Sequence, residues 1–145
     1  MAFDATLGGS ISNSYATVAE ADAYAATTQW ATDWAALAVP DKEIALMSAT
    51  RWLETLTYDG TRCNPSTDNA SLPQALKWPR SGITCDGVTS TCAFIPNNVK
   101  NAQTELAYQL NQNPNSVIPA PGGGGGAAGT YVSKEKLGDL EINYD

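Results

Sequence analysis

The segment from Asn113 to Thr130 sets the strongest limit on how this chain can fold. It reads Asn-Pro-Asn-Ser-Val-Ile-Pro-Ala-Pro, then five glycines, Gly122 to Gly126, then Ala-Ala-Gly-Thr. Glycine loses more conformational freedom on ordering than any other residue, and proline lacks the amide that a helix or a sheet ladder needs. No regular element is expected to run through it. The chain therefore divides into an N-terminal arm 1–16 that is rich in Gly, Ser and Asn, a core domain 17–112, the linker 113–130 and a tail 131–145. A Gly-rich linker of these 18 residues has an end-to-end distance of about 23 Å.

The tail is not low complexity. Leu140, Ile142 and Tyr144 alternate with Asp139, Glu141, Asn143 and Asp145, the period-2 pattern of a half-buried strand. A lone strand cannot satisfy its own backbone groups. It can fold back on its own domain, stay disordered, or add to a sheet edge on another chain. The length of the linker favours the third course, with Tyr131, Val132, Leu137, Leu140, Ile142 and Tyr144 as partner-binding residues. Several such tails on one ring would act at high effective concentration.

The core domain reads as helical. Thr17 and Glu20 have the capping-box spacing, and Val18, Ala21, Tyr24 and Ala25 follow at helical intervals. Trp30, Trp34 and Leu37 mark a second helix. A third opens at Pro40 or Asp41, buries Ala45, Ala49, Trp52, Leu53 and Leu56, and stops at Tyr58-Asp59-Gly60. A fourth runs from Pro96 to before Pro114, with Val99, Ala102, Leu106 and Leu110 on one side. Between the last two lies a loop, 61–95, in which Asp86-Gly87 between Ile83-Thr84-Cys85 and Val88-Thr89 signals a tight hairpin. The fold class is thus mainly α: a small bundle of three to four helices, a long loop that is partly a β-hairpin, and an extended C-terminal strand arm.

Composition narrows the function. The 145 residues suit one domain, and 43% hydrophobic content supplies one modest core. No apolar run approaches the roughly 20 residues of a membrane span, and no secretory signal is visible. The net charge is −7, with seven acids against two bases in residues 1–58 alone. Affinity for DNA is dominated by cations that neutralise phosphates, so a broad duplex-gripping surface is excluded. There is no histidine, the commonest general base and metal ligand. Cys63, Cys85 and Cys92 form no CxxC pair and read as free thiols, with a Cys85–Cys92 bridge or a metal as alternatives.

Other signals resolve toward structure. Lys77-Trp78-Pro79-Arg80 could stack a base on Trp78 and contact phosphate through Lys77 and Arg80. One aromatic and two cations are a sparse set, and a buried Trp pinning a loop, with Arg80 paired to a carboxylate, is the better reading. Lys77, Trp78 and Arg80 remain candidates for a loop interface. Trp30, Trp34 and Trp52 fall at core spacing rather than around a ligand. Gly122–Gly126 lacks the Lys-Ser/Thr of a phosphate-binding loop. Glu20 and Asp22 point to different helix faces, and Asp41 and Glu43 suit a helix N-terminus. No catalytic set, cofactor site or metal site stands out, so the chain is not expected to be an enzyme.

Several segments together carry a family resemblance. Ser14-Tyr15-Ala16-Thr17-Val18-Ala19-Glu20-Ala21-Asp22-Ala23-Tyr24, Ala49-Thr50-Arg51-Trp52-Leu53, Gln74-Ala75-Leu76-Lys77-Trp78-Pro79-Arg80-Ser81-Gly82, Ile95-Pro96 leading into Ala102 to Leu110, and Ser133-Lys134-Glu135-Lys136-Leu137-Gly138-Asp139-Leu140 resemble small head–tail connector (adaptor) proteins of tailed bacteriophages. Members of this group are often labelled DnaT-like, which implies a single-stranded DNA-binding replication accessory instead. The connector resemblance implies a structural virion protein at the capsid neck, and a homo-oligomeric ring, expected to be a dodecamer. Its tail would insert against the portal protein, and its long loop would meet a tail or neck protein. Lateral contacts would come from the helices, including the Trp30/Trp34 face. Genomic DNA would pass through the lumen without specific binding, which an acidic surface suits. No membrane partner is implied.

Overall fold

The computed structural model describes residues 1–64 and 73–114, together with the backbone of two strands at 134–137 and 140–143. The chain separates into two compact units, Met1–Asn115 and Ser116–Asp145.

Unit one is helix-rich. It holds α1 (Val18–Ala25), α2 (Ala31–Ala35), α3 (Val39–Leu53) and α4 (Asn97–Gln112). The expected capping box opens α1: Thr17 Oγ1 accepts the Glu20 N–H at 3.1 Å, and Glu20 Oε2 accepts the Thr17 N–H at 2.9 Å. Lys100 on α4 reaches Glu20 Oε1 at 2.5 Å and ties the two helices together. Burial pushes the Glu20 carboxyl up, but the Lys100 ammonium and the Thr17 amide outweigh it and hold the group below its ordinary value of 4.5. A depressed folded-state pKa stabilises above the unfolded value and is lost as pH falls through the folded one. Glu20→Gln should therefore cost no more than about 1 kcal/mol near neutrality, since the pair is partly exposed. In urea melts the gap from wild type should narrow as the pH falls below 4.5 and close once it passes the folded-state value.

Small residues let the helices approach closely. Ala21 and Ala25 of α1, Ala45, Leu46 and Ala49 of α3 and Ala107 of α4 close around Trp34, which is 1% exposed. The Trp34 indole N–H donates to Asp22 Oδ1 at 2.8 Å, and Lys42 Nζ donates to the same oxygen at 2.9 Å. A half-buried Trp30 stacks on Tyr108 with centroids 4.4 Å apart and planes at 6°. The Trp30/Trp34 face expected to make lateral contacts is thus largely internal, because Trp34 is needed to fill the space that the alanines leave.

Three expectations need correction. The arm 1–16 is packed, not free: Ser12, Ser14, Tyr15 and Ala16 are buried. Its backbone is fastened by Asn13 and Ser14 N–H to the Asp4 carbonyl (2.8 and 3.1 Å) and by Ala75 N–H to the Gly9 carbonyl (3.0 Å). Val99, Leu106 and Leu110 of α4 pack against the cores as expected, but its buried residues are Gln103, Thr104 and Ala107, and Ala102 is exposed. The difference follows from Gln103, a polar side chain with internal partners that apolar periodicity cannot register. Finally, α3 ends at Leu53, before the Gly60 stop, and 54–60 turns back beneath the loop.

The loop 61–95 contains short antiparallel pairs. β1 (Thr61–Arg62) pairs with β2 (Arg80–Ser81), and β3 (Thr84–Cys85) with β4 (Val88–Thr89). At the β3–β4 turn Asp86 has φ 50° and Gly87 φ 78°, the two positive values that a type I′ hairpin requires. Residues 65–72 and 115–130 of the linker lie outside the described residues.

In unit two β5 (Lys134–Leu137) pairs antiparallel with β6 (Leu140–Asn143), in the register Lys134↔Asn143, Glu135↔Ile142, Lys136↔Glu141 and Leu137↔Leu140. The tail was expected to be a single strand with its backbone mates on another polypeptide. Its described residues instead form a strand pair, β5 with β6. Of the tail's candidate residues, Leu137, Leu140 and Ile142 lie in these strands, whereas Tyr131, Val132 and Tyr144 lie outside the described residues. Among the described residues no helix is long and apolar enough to cross a membrane.

Candidate functional site

The Trp-Pro-Arg loop is built on Gln74, which is 1% exposed. Its Nε2 donates to the Leu76 and Pro79 carbonyls at 2.8 and 3.1 Å, while its Oε1 accepts the Asn64 N–H at 3.0 Å. One amide side chain thereby closes the loop on itself and on the end of β1. The Trp78–Pro79 bond is cis. Trp78 is 5% exposed, sits edge-on to Tyr58 with centroids 5.6 Å apart, and belongs to a second core with Tyr15, Leu53, Leu76 and Ile95.

Arg80 is also interior. Its Nε donates to the Asp59 carbonyl at 2.7 Å, Nη2 to the Tyr58 and Gly60 carbonyls at 3.1 and 2.8 Å, and Nη1 to the Lys77 carbonyl at 3.3 Å. A carboxylate was the expected partner of Arg80. The guanidinium fork instead collects three carbonyls from the chain after α3 and one, Lys77, from its own loop. Lys77 Nζ donates to the Leu56 carbonyl at 2.6 Å, and its N–H donates to Glu54 Oε1 at 2.9 Å. Glu54 also accepts the Tyr15 hydroxyl. Burial, and then the hydrogen bond to Glu54, push the Tyr15 phenol up, so it stays a donor.

Gly60 shows how tight this clamp is. It has φ +74°, and a Cβ there would fall on the Ser81 carbonyl oxygen and within 2.7 Å of Ile83 Cγ1. Gly60→Ala should destabilise unit one by more than about 2 kcal/mol, read as a lower urea midpoint.

Cation use decides what the surface can attract. Unit one contains six lysines and arginines. Lys42 is held by Asp22 and Lys100 by Glu20. Lys77 and Arg80 are bonded to carbonyls, and Arg62 donates to the Gln74 carbonyl. Arg51 is exposed and lies beside a groove of about 960 Å³ formed by α3 and residues 1–13. A second groove, of about 810 Å³, runs between the β3–β4 hairpin and the start of α4. Its walls include Tyr58, Trp78, Ile83, Val88 and Phe94, with Asp59, Asp86 and Lys100 at the margins. Val88 and Phe94 are 62% and 39% exposed. Both grooves are mixed in charge and apolar in lining, which fits a protein segment better than a polyphosphate.

The cysteines differ from expectation. Cys63 and Cys92 form a disulfide with Cα atoms 5.5 Å apart, and Cys85 takes no part in it. Spacing gave no sign of this pairing, since it depends on the hairpin returning residue 92 to the end of β1. Sequence reasoning also missed Gln74, Gln103 and Glu54, polar residues whose role appears only once their partners are in place.

These elements define a small helix-rich domain whose long loop is clamped from within, joined to a separate strand pair. The chain belongs to the family described as "Putative DnaT-like ssDNA binding protein", which matches residues 3–145. No curated protein and no solved structure matches it.

Proposed function

We propose that the chain is a structural virion protein: a ring-forming head–tail connector (adaptor) that joins the portal to the tail and lets DNA pass. The observation that carries this reading is the use of cations. Five of the six lysines and arginines of unit one have partners within it, in a chain of net charge −7. Such a surface repels phosphates and suits a ring through which DNA slides. Partners would then be other copies of the chain, the portal protein and a tail or neck protein, with the β5–β6 segment as the portal-facing part.

The family description favours a second reading, a single-stranded DNA-binding replication accessory. One titration separates the two. With a labelled 20-mer single strand near physiological salt, the connector reading expects an anisotropy midpoint no tighter than about 100 µM, the weak end of non-specific binding. A submicromolar midpoint that weakens steeply with added salt would establish the replication reading instead. Capture of the portal by the full chain, lost on truncation after Asn113, would then support the assembly role directly.

A further inference from the structure

We infer that the Cys63–Cys92 disulfide is a reversible redox staple, closed after folding through the exposed Cys92, that fixes one wall of the groove between the β3–β4 hairpin and α4 without governing the rest of the fold. The two ends of the bond are held very differently. Cys63 is half-buried at the end of β1, and its N–H donates to the Pro79 carbonyl at 3.2 Å. Its neighbour Asn64 exchanges hydrogen bonds with Gln74, and the β1–β2 pairing holds the preceding residues. That side stays in place with or without the disulfide.

Among the described residues Cys92 has no such support. It lies in the exposed run Thr91–Phe94, between Ser90, whose N–H donates to the Ile83 carbonyl at 2.7 Å, and Ile95, which is 5% exposed in the core. Within that run the hydrogen bond is local, Ala93 N–H to Thr91 Oγ1 at 3.3 Å. Among the described residues the disulfide is thus what fastens 91–94 to the body between its two anchors. Phe94, two residues from Cys92, is a wall of the groove. Opening the bond leaves the helices and both cores intact and loosens that wall.

Closure requires an oxidant, and a small-molecule disulfide such as glutathione disulfide suffices. The Cys92 thiolate attacks one of its sulfurs and expels a thiolate, leaving a mixed disulfide on Cys92. The Cys63 thiolate then attacks Cys92 Sγ and expels the second thiolate. The protein thiols lose two electrons and two protons; the small disulfide takes up both electrons, and the protons pass to the released thiolates. Such bonds are rare in a reducing cytosol and persist in oxidising surroundings. The staple therefore reports which of these surroundings the folded chain has met.

Three measurements on the full chain test this. After incubation with glutathione disulfide, non-reducing peptide mapping should find Cys63 linked to Cys92 and Cys85 open to alkylation; a bridge to Cys85 would overturn the assignment. Chymotrypsin should cut after Phe94 at least about tenfold faster in the reduced chain than in the oxidised one, with circular dichroism unchanged. Cys92→Ser should be cut at the fast rate under both conditions. Equal rates, or cutting throughout α3 and α4 on reduction, would refute a local staple; the reduced wild type supplies this readout whether or not the variant folds. Finally, Cys63→Ser should trap a glutathione adduct on Cys92 faster than Cys92→Ser traps one on Cys63, and the reverse order would overturn the proposed entry point.

Discussion

Replacing Gln103 by leucine should lower the stability of unit one by about 2–4 kcal/mol, although the new side chain is apolar and similar in size. Gln103 is fully buried on α4, and its amide serves three partners. Oε1 accepts the Ala16 N–H at 2.9 Å, and Nε2 donates to Ser14 Oγ at 2.7 Å and to the Leu46 carbonyl at 3.1 Å. The partners would not suffer equally. Leu46 keeps the Thr50 hydroxyl at 3.0 Å, and Ser14 still donates to the Ala16 carbonyl at 2.7 Å. Ala16 N–H would be left unpaired in the interior, so the loss concentrates where the N-terminal segment enters α1. The expected signature is a lower urea midpoint together with faster amide exchange across residues 12–16, while the α1 capping box stays protected. Unchanged exchange there would mean that the segment is held by its apolar contacts alone.

Arg80→Met should be as damaging, about 3–5 kcal/mol, because three carbonyls in the turn after α3 and the Lys77 carbonyl would lose their donor together. Arg80→Lys should recover only a minor part of this. An ammonium is a point donor and cannot span carbonyls that a planar fork reaches at once. The pair of variants also bears on function. A phosphate-contacting arginine would tolerate lysine and leave stability almost unchanged, whereas a clamp fails in both cases. Urea melts of the two proteins distinguish these outcomes, and wild-type stability in Arg80→Met would contradict the interior role described above.

How much of this was legible depended on whether the information was local. The capping box at Thr17 and Glu20 and the Asp86-Gly87 turn were readable because each is fixed by residues within a few positions. The start of α4 after Pro96 was readable for the same reason. What escaped was non-local. The N-terminal segment looks like an arm by composition, yet Gln103, 87 residues away from Ala16, holds it down. Trp78 could be suspected of pinning a loop, but the acceptors of Arg80 lie about 20 positions upstream, in backbone that no pattern marks. The Cys63–Cys92 bond spans 29 positions and depends on the loop closing first. In the tail, attention to the regular alternation after Asp139 hid a second strand in Lys134-Glu135-Lys136-Leu137, whose charges disguise its pairing.

Because β5 and β6 are zipped to each other, each strand has occupied one flank of its peptide groups and presents the other. A foreign sheet that accepted this ribbon would grow by two strands in one event, and the two flanks are chemically unequal. Leu140-Glu141-Ile142-Asn143 is the more apolar and suits the inner berth, while Lys134-Glu135-Lys136-Leu137 would form the new outer rim. Lysines on an outermost strand discourage any further strand from joining. The ribbon would then act as a terminator as well as a plug, completing one sheet and preventing the next copy from stacking onto it.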